Sequence, residues 1–355
     1  MRSSIKVVHM TSVHHPYDPR IFHKECFSLH DAGYNVTLIA QEASLKREVP
    51  FNYLPIKKYN SKLKRMIFGS WEVYKKAKKL NADIYHFHDP ELMITARLLK
   101  KKNNLVVYDV HEDFITSLVK KDYIKKPIKK LIQFSFRWIE KIFTKKFKKV
   151  LAEKYYKDIY PDGECVLNYP VVNERIINHT RKNHATENAL IYTGNVDEQR
   201  GAFIHSKIPA IHKEVSVFLY GKTPSRFAQK MAEIAGDNKK RLHITGIDQF
   251  VEKEEIESAY ISRNWLAGLA IFPPTDHYLK KELTKFFEYM SAGIPIICSN
   301  FPVWNNFIKK YNCGITVDPY NDDEIFEAIE YLKNNPSTAQ KMGQNGKRAV
   351  VRRLN

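Results

Sequence analysis

Short apolar runs alternate with helix-length segments along nearly the whole of this chain, and the series breaks once before it restarts. In the first half, strand patterns fall at Ile5–Met10, Asn35–Ala40, a weaker stretch around Pro55, Asp83–His88, Leu105–Asp109, Lys149–Ala152 and Cys165–Asn168. Helical patterns fill the gaps at about 20–31, 64–80 and 91–101. After a polar, aperiodic stretch the alternation resumes with strands at Ala189–Tyr192, Val215–Tyr220, Leu242–Thr245, Leu266–Phe272, Ile294–Cys298 and Gly314–Val317. Strands separated by helices of this length must cross over, so each half predicts a doubly wound parallel sheet. The expected organisation is a first domain over 1–172, a linker over 173–188, a second domain over 189–335 and a helical segment over 336–355. Two such sheets in tandem are expected to face a central cleft with their carboxyl edges.

The 355 residues carry 43% hydrophobic and 12% aromatic side chains, enough to build two cores rather than a disordered chain. Cys26, Cys165, Cys298 and Cys313 are too far apart for a metal-type pair and read as buried free thiols. The start, Met1-Arg-Ser-Ser-Ile-Lys-Val-Val, enters a strand without a secretory pattern, and no window is apolar enough to span a bilayer. A cytoplasmic protein is expected.

The charge is unevenly placed. Lys and Arg total 58 against 39 acidic residues, a formal +19, and the excess peaks between Lys120 and Lys149. There a helix over about 125–147 opens with Pro127 and repeats Ile128, Leu131, Ile132, Phe136, Ile139, Ile142 and Phe143 at helical spacing. Phe134 and Trp138 widen that stripe, while Lys129, Lys130 and Lys141 fill the other face. The pattern suits a helix lying on an anionic membrane surface, making the expected localisation peripheral on the inner face of the cell membrane. The bland alternative is a helix packed on its own domain with solvated lysines. No nucleic-acid-binding signature accompanies the charge.

The segment Leu283-Thr-Lys-Phe-Phe-Glu-Tyr-Met-Ser-Ala-Gly-Ile-Pro-Ile-Ile-Cys-Ser-Asn300 predicts a helix over about 284–292, stopped by Gly293, and then a buried strand. Thr284, Lys285 and Glu288 share one side of that helix. A hydroxyl, an ammonium and a carboxylate at a helix N-terminus beside a parallel sheet suit a nucleoside diphosphate, phosphates against Lys285 and ribose against Glu288. An ordinary charged surface helix has the same composition. No Gly-x-Gly-x-x-Gly follows the first strand of either domain, and Ser216 occupies the leading-glycine position of a Walker loop ending at Gly221-Lys-Thr.

Five motifs then occur in order: His14-His-Pro-Tyr-Asp-Pro-Arg-Ile-Phe-His-Lys-Glu-Cys26, His86-Phe-His-Asp-Pro-Glu-Leu92, Tyr108-Asp-Val-His-Glu-Asp113, Tyr192-Thr-Gly-Asn-Val-Asp-Glu-Gln-Arg-Gly201 and Thr284 to Pro295. Together they resemble glycosyltransferase family 4, the retaining GT-B-fold sugar transferases, and within it bacterial enzymes of O-antigen or capsular polysaccharide synthesis. The resemblance implies GT-B architecture, with two Rossmann-like domains. It implies a nucleotide-sugar donor, a lipid-linked or oligosaccharide acceptor, no cofactor and no metal. Gly194 and Arg200 match its diphosphate loop, Lys285 a second phosphate contact, Glu288 the ribose carboxylate and His111 the histidine beside the reacting carbon. By the same likeness His14, His15, Asp18, Arg20, His88, Asp89 and Glu112 would face the acceptor or the cleft.

The chain departs from that pattern in two places. The first carboxylate of the family's Glu-x7-Glu pair is absent, because Lys280 stands eight residues before Glu288. The family's long return helix should be beginning where the sequence ends, at Val351-Arg-Arg-Leu-Asn355. These departures keep open a second reading, a GT-B-fold protein that binds nucleotide or glycan without turning it over.

Overall fold

A computed structural model of the protein describes residues 4–43, 48–111, 126–170, 173–179 and 186–354, with backbone alone over 126–133 and 353–354. The chain divides into two compact units between Asn168 and Tyr169.

The first unit is a seven-stranded sheet ordered β3-β2-β1-β4-β5-β6-β7, every pair parallel. Its strands are β1 Lys6–Met10, β2 Asn35–Gln41, β3 Asn52–Ile56, β4 Ile84–Phe87, β5 Leu105–Val110, β6 Lys148–Leu151 and β7 Glu164–Cys165. The middle strands are covered on both faces, so they read as unbroken apolar runs such as Val7-Val8 and Val106-Val107-Tyr108. A π-helical turn, Ile21–Cys26, runs on into α1, Phe27–Asp31, after β1. Then come α2 Ser70–Leu80, α3 Met93–Leu99 and α4 Lys126–Thr144.

The inward side of α4 is partly polar. Glu140 and Thr144 are buried, and the Tyr108 hydroxyl donates to Glu140 Oε1 at 3.0 Å. Phe136 and Phe143 pack on the core around Phe87, Tyr108 and Leu151. Phe143 therefore belongs to the packed face of this helix and not to an outward stripe. Phe134 and Trp138, 73% and 61% accessible, lie on the opposite side with Ile139, Lys141 and Ile142. The side chains of Lys129 and Lys130 fall outside the described residues, as does Glu112.

The second unit is a six-stranded parallel sheet ordered β10-β9-β8-β11-β12-β13. It comprises β8 Ala189–Thr193, β9 Ser216–Thr223, β10 Leu242–Ile247, β11 Ala267–Ala270, β12 Ile296–Ser299 and β13 Gly314–Val317. The covering helices are α5 Ala202–Ile211, α6 Ser225–Ala235, α7 Lys253–Ser262, α8 Thr284–Ser291, α9 Pro302–Tyr311, α10 Asp322–Asn334 and α11 Pro336–Leu354. Preceding β8, Asn173 caps a short helix, Glu174–Asn178, whose Ile176 is buried in this unit's core.

Several strands are shorter than the sequence predicts, and for β11 the cause is that its end bonds elsewhere. β11 stops at Ala270, since the Ile271 N–H donates to His205 Nε2 and the Phe272 N–H to Ser299 Oγ. β7 covers two residues rather than reaching Asn168. Of the cysteines, Cys26, Cys298 and Cys313 are buried and Cys165 is exposed, against the expectation of four buried thiols. Helix α11 packs on α8 through glycine: a Cβ on Gly343 would fall 2.1 Å from the Gly293 carbonyl oxygen, so the two backbones touch.

Candidate active site

In a doubly wound sheet the crossovers diverge to opposite faces where strand order reverses, leaving a crevice at the carboxyl ends of the two strands there. In the second unit that point lies between β8 and β11. β8 ends at Thr193, and Gly194 turns the chain with φ at +104°. A Cβ on Gly194 would stand 3.2 Å from Lys285 Nζ and 4.0 Å from Arg200 Nη1, so both cations border this one residue. Glycine here leaves the space between the ammonium and the guanidinium open.

Lys285, in the first turn of α8, donates to the Thr193 carbonyl and to Thr193 Oγ1, and lies 4.5 Å above the centre of the Tyr192 ring. Burial holds its pKa down to about 8, with Glu288 raising it and Arg200 lowering it. Arg200 is anchored more loosely: its Nε donates to the Tyr278 hydroxyl at 3.2 Å and lies 3.7 Å from Asp197. One turn on from Lys285, Glu288 Oε2 accepts from the Tyr260 hydroxyl at 2.8 Å, and the hydroxyls of Tyr260 and Thr193 are 2.7 Å apart. Thr284 is half-buried at the first position of α8. Of the five residues expected on the donor side, Gly194, Arg200, Lys285 and Glu288 gather at the end of β8, and Thr284 precedes Lys285 on α8. Of the side chains that hold them, Tyr192 and Thr193 open one of the five motifs, whereas Tyr260 and Tyr278 lie outside all of them.

In the first unit the equivalent point lies between β1 and β4. Here Asp109, fully buried at the end of β5, is the hub. Arg20 donates to it twice, from Nε and Nη2, each at 2.8 Å, and His88 Nδ1 and His111 Nδ1 both lie 3.0 Å from Asp109 Oδ2. Although burial opposes ionisation, the bonds from His111, His88 and Arg20 hold this carboxyl well below the usual range. With Nδ1 turned to Asp109, His111 presents Nε2 outward, 3.1 Å from His14 Nε2. His14 in turn lies 3.2 Å from Asp18 and 3.4 Å from Asp89.

Other expected site residues serve the loops. Asp89 Oδ2 accepts from Thr11 Oγ1 and from the N–H groups of Ser12 and Val13, pinning the turn after β1. Asp18 Oδ1 accepts from the N–H groups of Arg20 and Ile21. Arg20 also donates from Nη1 to the Val166 carbonyl. His15 is exposed, accepts from the Tyr17 N–H and stays out of the network. Of the first unit's set, His14, His88 and His111 come together with Arg20, Asp18 and Asp89 around Asp109.

Comparison with known proteins follows the same division. Residues 7–153 match the family described as Glycosyltransferase Family 4, and residues 183–349 match Glycosyl transferases group 1. Among solved structures, a glycosyltransferase from Rickettsia africae ESF-5 superposes with a TM-score of 0.72 at 14% identity, over 99% of this chain and 94% of that one. WaaG, a glycosyltransferase involved in lipopolysaccharide biosynthesis, gives 0.68 at 12% identity, covering 98% and 95%. Anabaena Alr3699/HepE in complex with UDP and glucose gives 0.69 at 9% identity, covering 98% and 95%. No curated protein matches the chain by sequence.

Proposed function

The chain is a glycosyltransferase of GT-B type, a family 4 domain followed by a group 1 domain, and we propose that it moves a sugar from a nucleoside-diphosphate donor to a glycan acceptor with retention of configuration. The carrying observation is the pair of cations on Gly194. When the bond between the anomeric carbon and the diphosphate oxygen breaks, its electron pair stays on the oxygen. Arg200 and Lys285 would then receive the developing charge from fixed positions, where each such donor is worth about 3–4 kcal/mol. Glu288, one turn along α8, would hold the ribose hydroxyls. His111 would contact the transferred sugar through Nε2, oriented by Asp109. That HepE was solved with UDP supports a nucleoside diphosphate as the leaving group.

The acceptor we propose is lipid-linked, in bacterial surface polysaccharide synthesis of the O-antigen or capsule kind, with the protein peripheral on the inner membrane face. Support comes from the free face of α4, where Phe134, Trp138 and Ile142 stand among lysines, and from exposed Ile94 and Leu98 on the adjoining α3. Among the described residues no helix is long and apolar enough to cross a membrane. The deciding experiment is a thermal-shift screen of nucleoside diphosphates, then donor turnover with and without lipid acceptor. Stabilisation with turnover supports the transferase. Stabilisation with no turnover favours the binding-protein reading that Lys280 keeps open, and no stabilisation by any diphosphate removes the transferase and leaves of the second reading only a glycan binder.

A further inference from the structure

Beside the histidine network, and sharing His88 with it, four side chains converge to which the proposed transfer chemistry gives no step. Strand register pairs His9 on β1 with His86 on β4, and His88 lies two residues further along, so all three imidazoles leave the same face of the sheet. Glu25, in the π-helical turn after β1, closes over them. Its Oε2 lies 3.7 Å from His9 Nδ1, 4.0 Å from His86 Nδ1 and 3.8 Å from His88 Nε2, while His9 Nδ1 and His88 Nε2 are 3.1 Å apart. Ligands about 2.1 Å from a tetrahedral ion stand roughly 3.4 Å from one another. The observed spacings bracket that value.

Two further observations point to a cation. Both Glu25 oxygens are buried and lack a hydrogen-bond partner among the described residues. Arg20 Nε does come within 3.0 Å of Oε1, but its N–H is directed at Asp109, so proximity there is not a bond. Two buried carboxylates, Asp109 and Glu25, thus face one buried guanidinium, leaving a negative charge for a proton or a metal to offset. The other observation is His88, whose Nδ1 lies 3.0 Å from Asp109 Oδ2. A metal-bound histidine ordinarily turns its second nitrogen to a carboxylate, which fixes the ring and aims the other lone pair at the ion.

We propose that His9, Glu25, His86 and His88 form a tetrahedral site for one divalent transition ion of the zinc class. Three imidazoles and one carboxylate match that ion's ligand preference, and four protein ligands leave no open position, so the role is structural. The ion would tie β1, β4 and the turn between β1 and α1 together below Asp109. The nearby trio of His88, Asp109 and His111 is a poorer candidate because Arg20 already occupies both Asp109 oxygens. The proposal runs against the metal-free protein that the sequence resemblance implies.

The full chain, stripped with a chelator, loaded with Zn²⁺ and desalted, should retain about one ion by elemental analysis and melt at a higher temperature than the stripped form. Loading with Co²⁺ should give the intense visible absorption of a tetrahedral complex. Glu25→Gln, which keeps the side-chain shape, and His86→Ala should each weaken retention at least about tenfold. Wild-type protein that holds no ion after loading would show that a proton on Glu25 offsets the charge, and would overturn the site. Undiminished retention in both variants would place the ion elsewhere and overturn it equally. The Co²⁺ spectrum of the wild type decides the matter if a variant fails to fold.

Discussion

The ammonium of Lys285 lies 3.2 Å from the hydroxyl of Thr193, held at the end of β8 by a side chain that starts on a different element, α8. Lys285→Ala should lower sugar-transfer turnover about a hundredfold or more, as should Arg200→Ala, with melting temperature little changed. Normal turnover in both variants removes the diphosphate assignment.

The same lysine couples function and stability in opposite directions. Burial lowers its pKa from 10.5 to about 8, so above that pH the free enzyme loses the cation and donor affinity falls. Between about 8 and 10.5 the unfolded chain binds the proton that the native state has released, so this group's contribution to stability rises with pH over the same window. Donor titrations and thermal melts across the range should show both slopes, and Lys285→Met should flatten both.

Tyr260 positions Glu288 through a bond of 2.8 Å. Removing the hydroxyl in Tyr260→Phe should weaken nucleoside-diphosphate binding about tenfold, within the range for a hydrogen bond to a charged group. Inorganic pyrophosphate has no ribose, so its binding by calorimetry should stay within about twofold of wild type. An equal loss for both ligands would place Glu288 on the phosphates instead.

Asp109→Asn should destabilise the first unit by about 3 kcal/mol, because it removes the carboxylate that accepts both of Arg20's charged hydrogen bonds. The carboxyl's native pKa lies below the ordinary 3.8. Its contribution is therefore complete above the unfolded value and disappears only as pH falls through the lower native one. Denaturant titrations at pH 7 and pH 5 should give the same difference between wild type and variant.

On α4, Trp138→Glu and Ile142→Glu should each reduce binding to vesicles containing anionic lipid at least about tenfold while leaving helicity unchanged. Phe143→Glu should act differently, lowering the melting temperature, since this ring packs on the first unit's core. Unchanged vesicle binding by Trp138→Glu removes the membrane reading.

The alternation of apolar runs was enough to expect two parallel sheets, and Gly293, with φ at +67°, ends α8 where the sequence places the stop. Local spacing also put Lys285 and Glu288 on one side of a helix. What could not be read were partners brought together across long separations. Arg20 and Asp109 are 89 residues apart, and Glu288 and Tyr260 are 28 apart. Nothing in the stretch around Tyr260 marks it as a support for a carboxylate. The inward turn of Phe143 was equally hidden, because α4 is apolar on both sides and only packing tells them apart. Likewise His9 and Glu25 gain meaning only from strand register and from the turn that folds over it.

The seat of α11 on Gly293 links a surface helix directly to the helix of the proposed donor site. Two glycines, Gly343 and Gly346, sit in the body of that surface helix, each costing it roughly 0.5–1 kcal/mol of intrinsic propensity, and in exchange its backbone rests directly on the far end of the helix that carries Lys285 and Glu288. Close-packed interiors compress little and so pass strain from one element to the next. On the proposed donor reading, a displacement of α11 would therefore reach Lys285 and Glu288 as a displacement of α8.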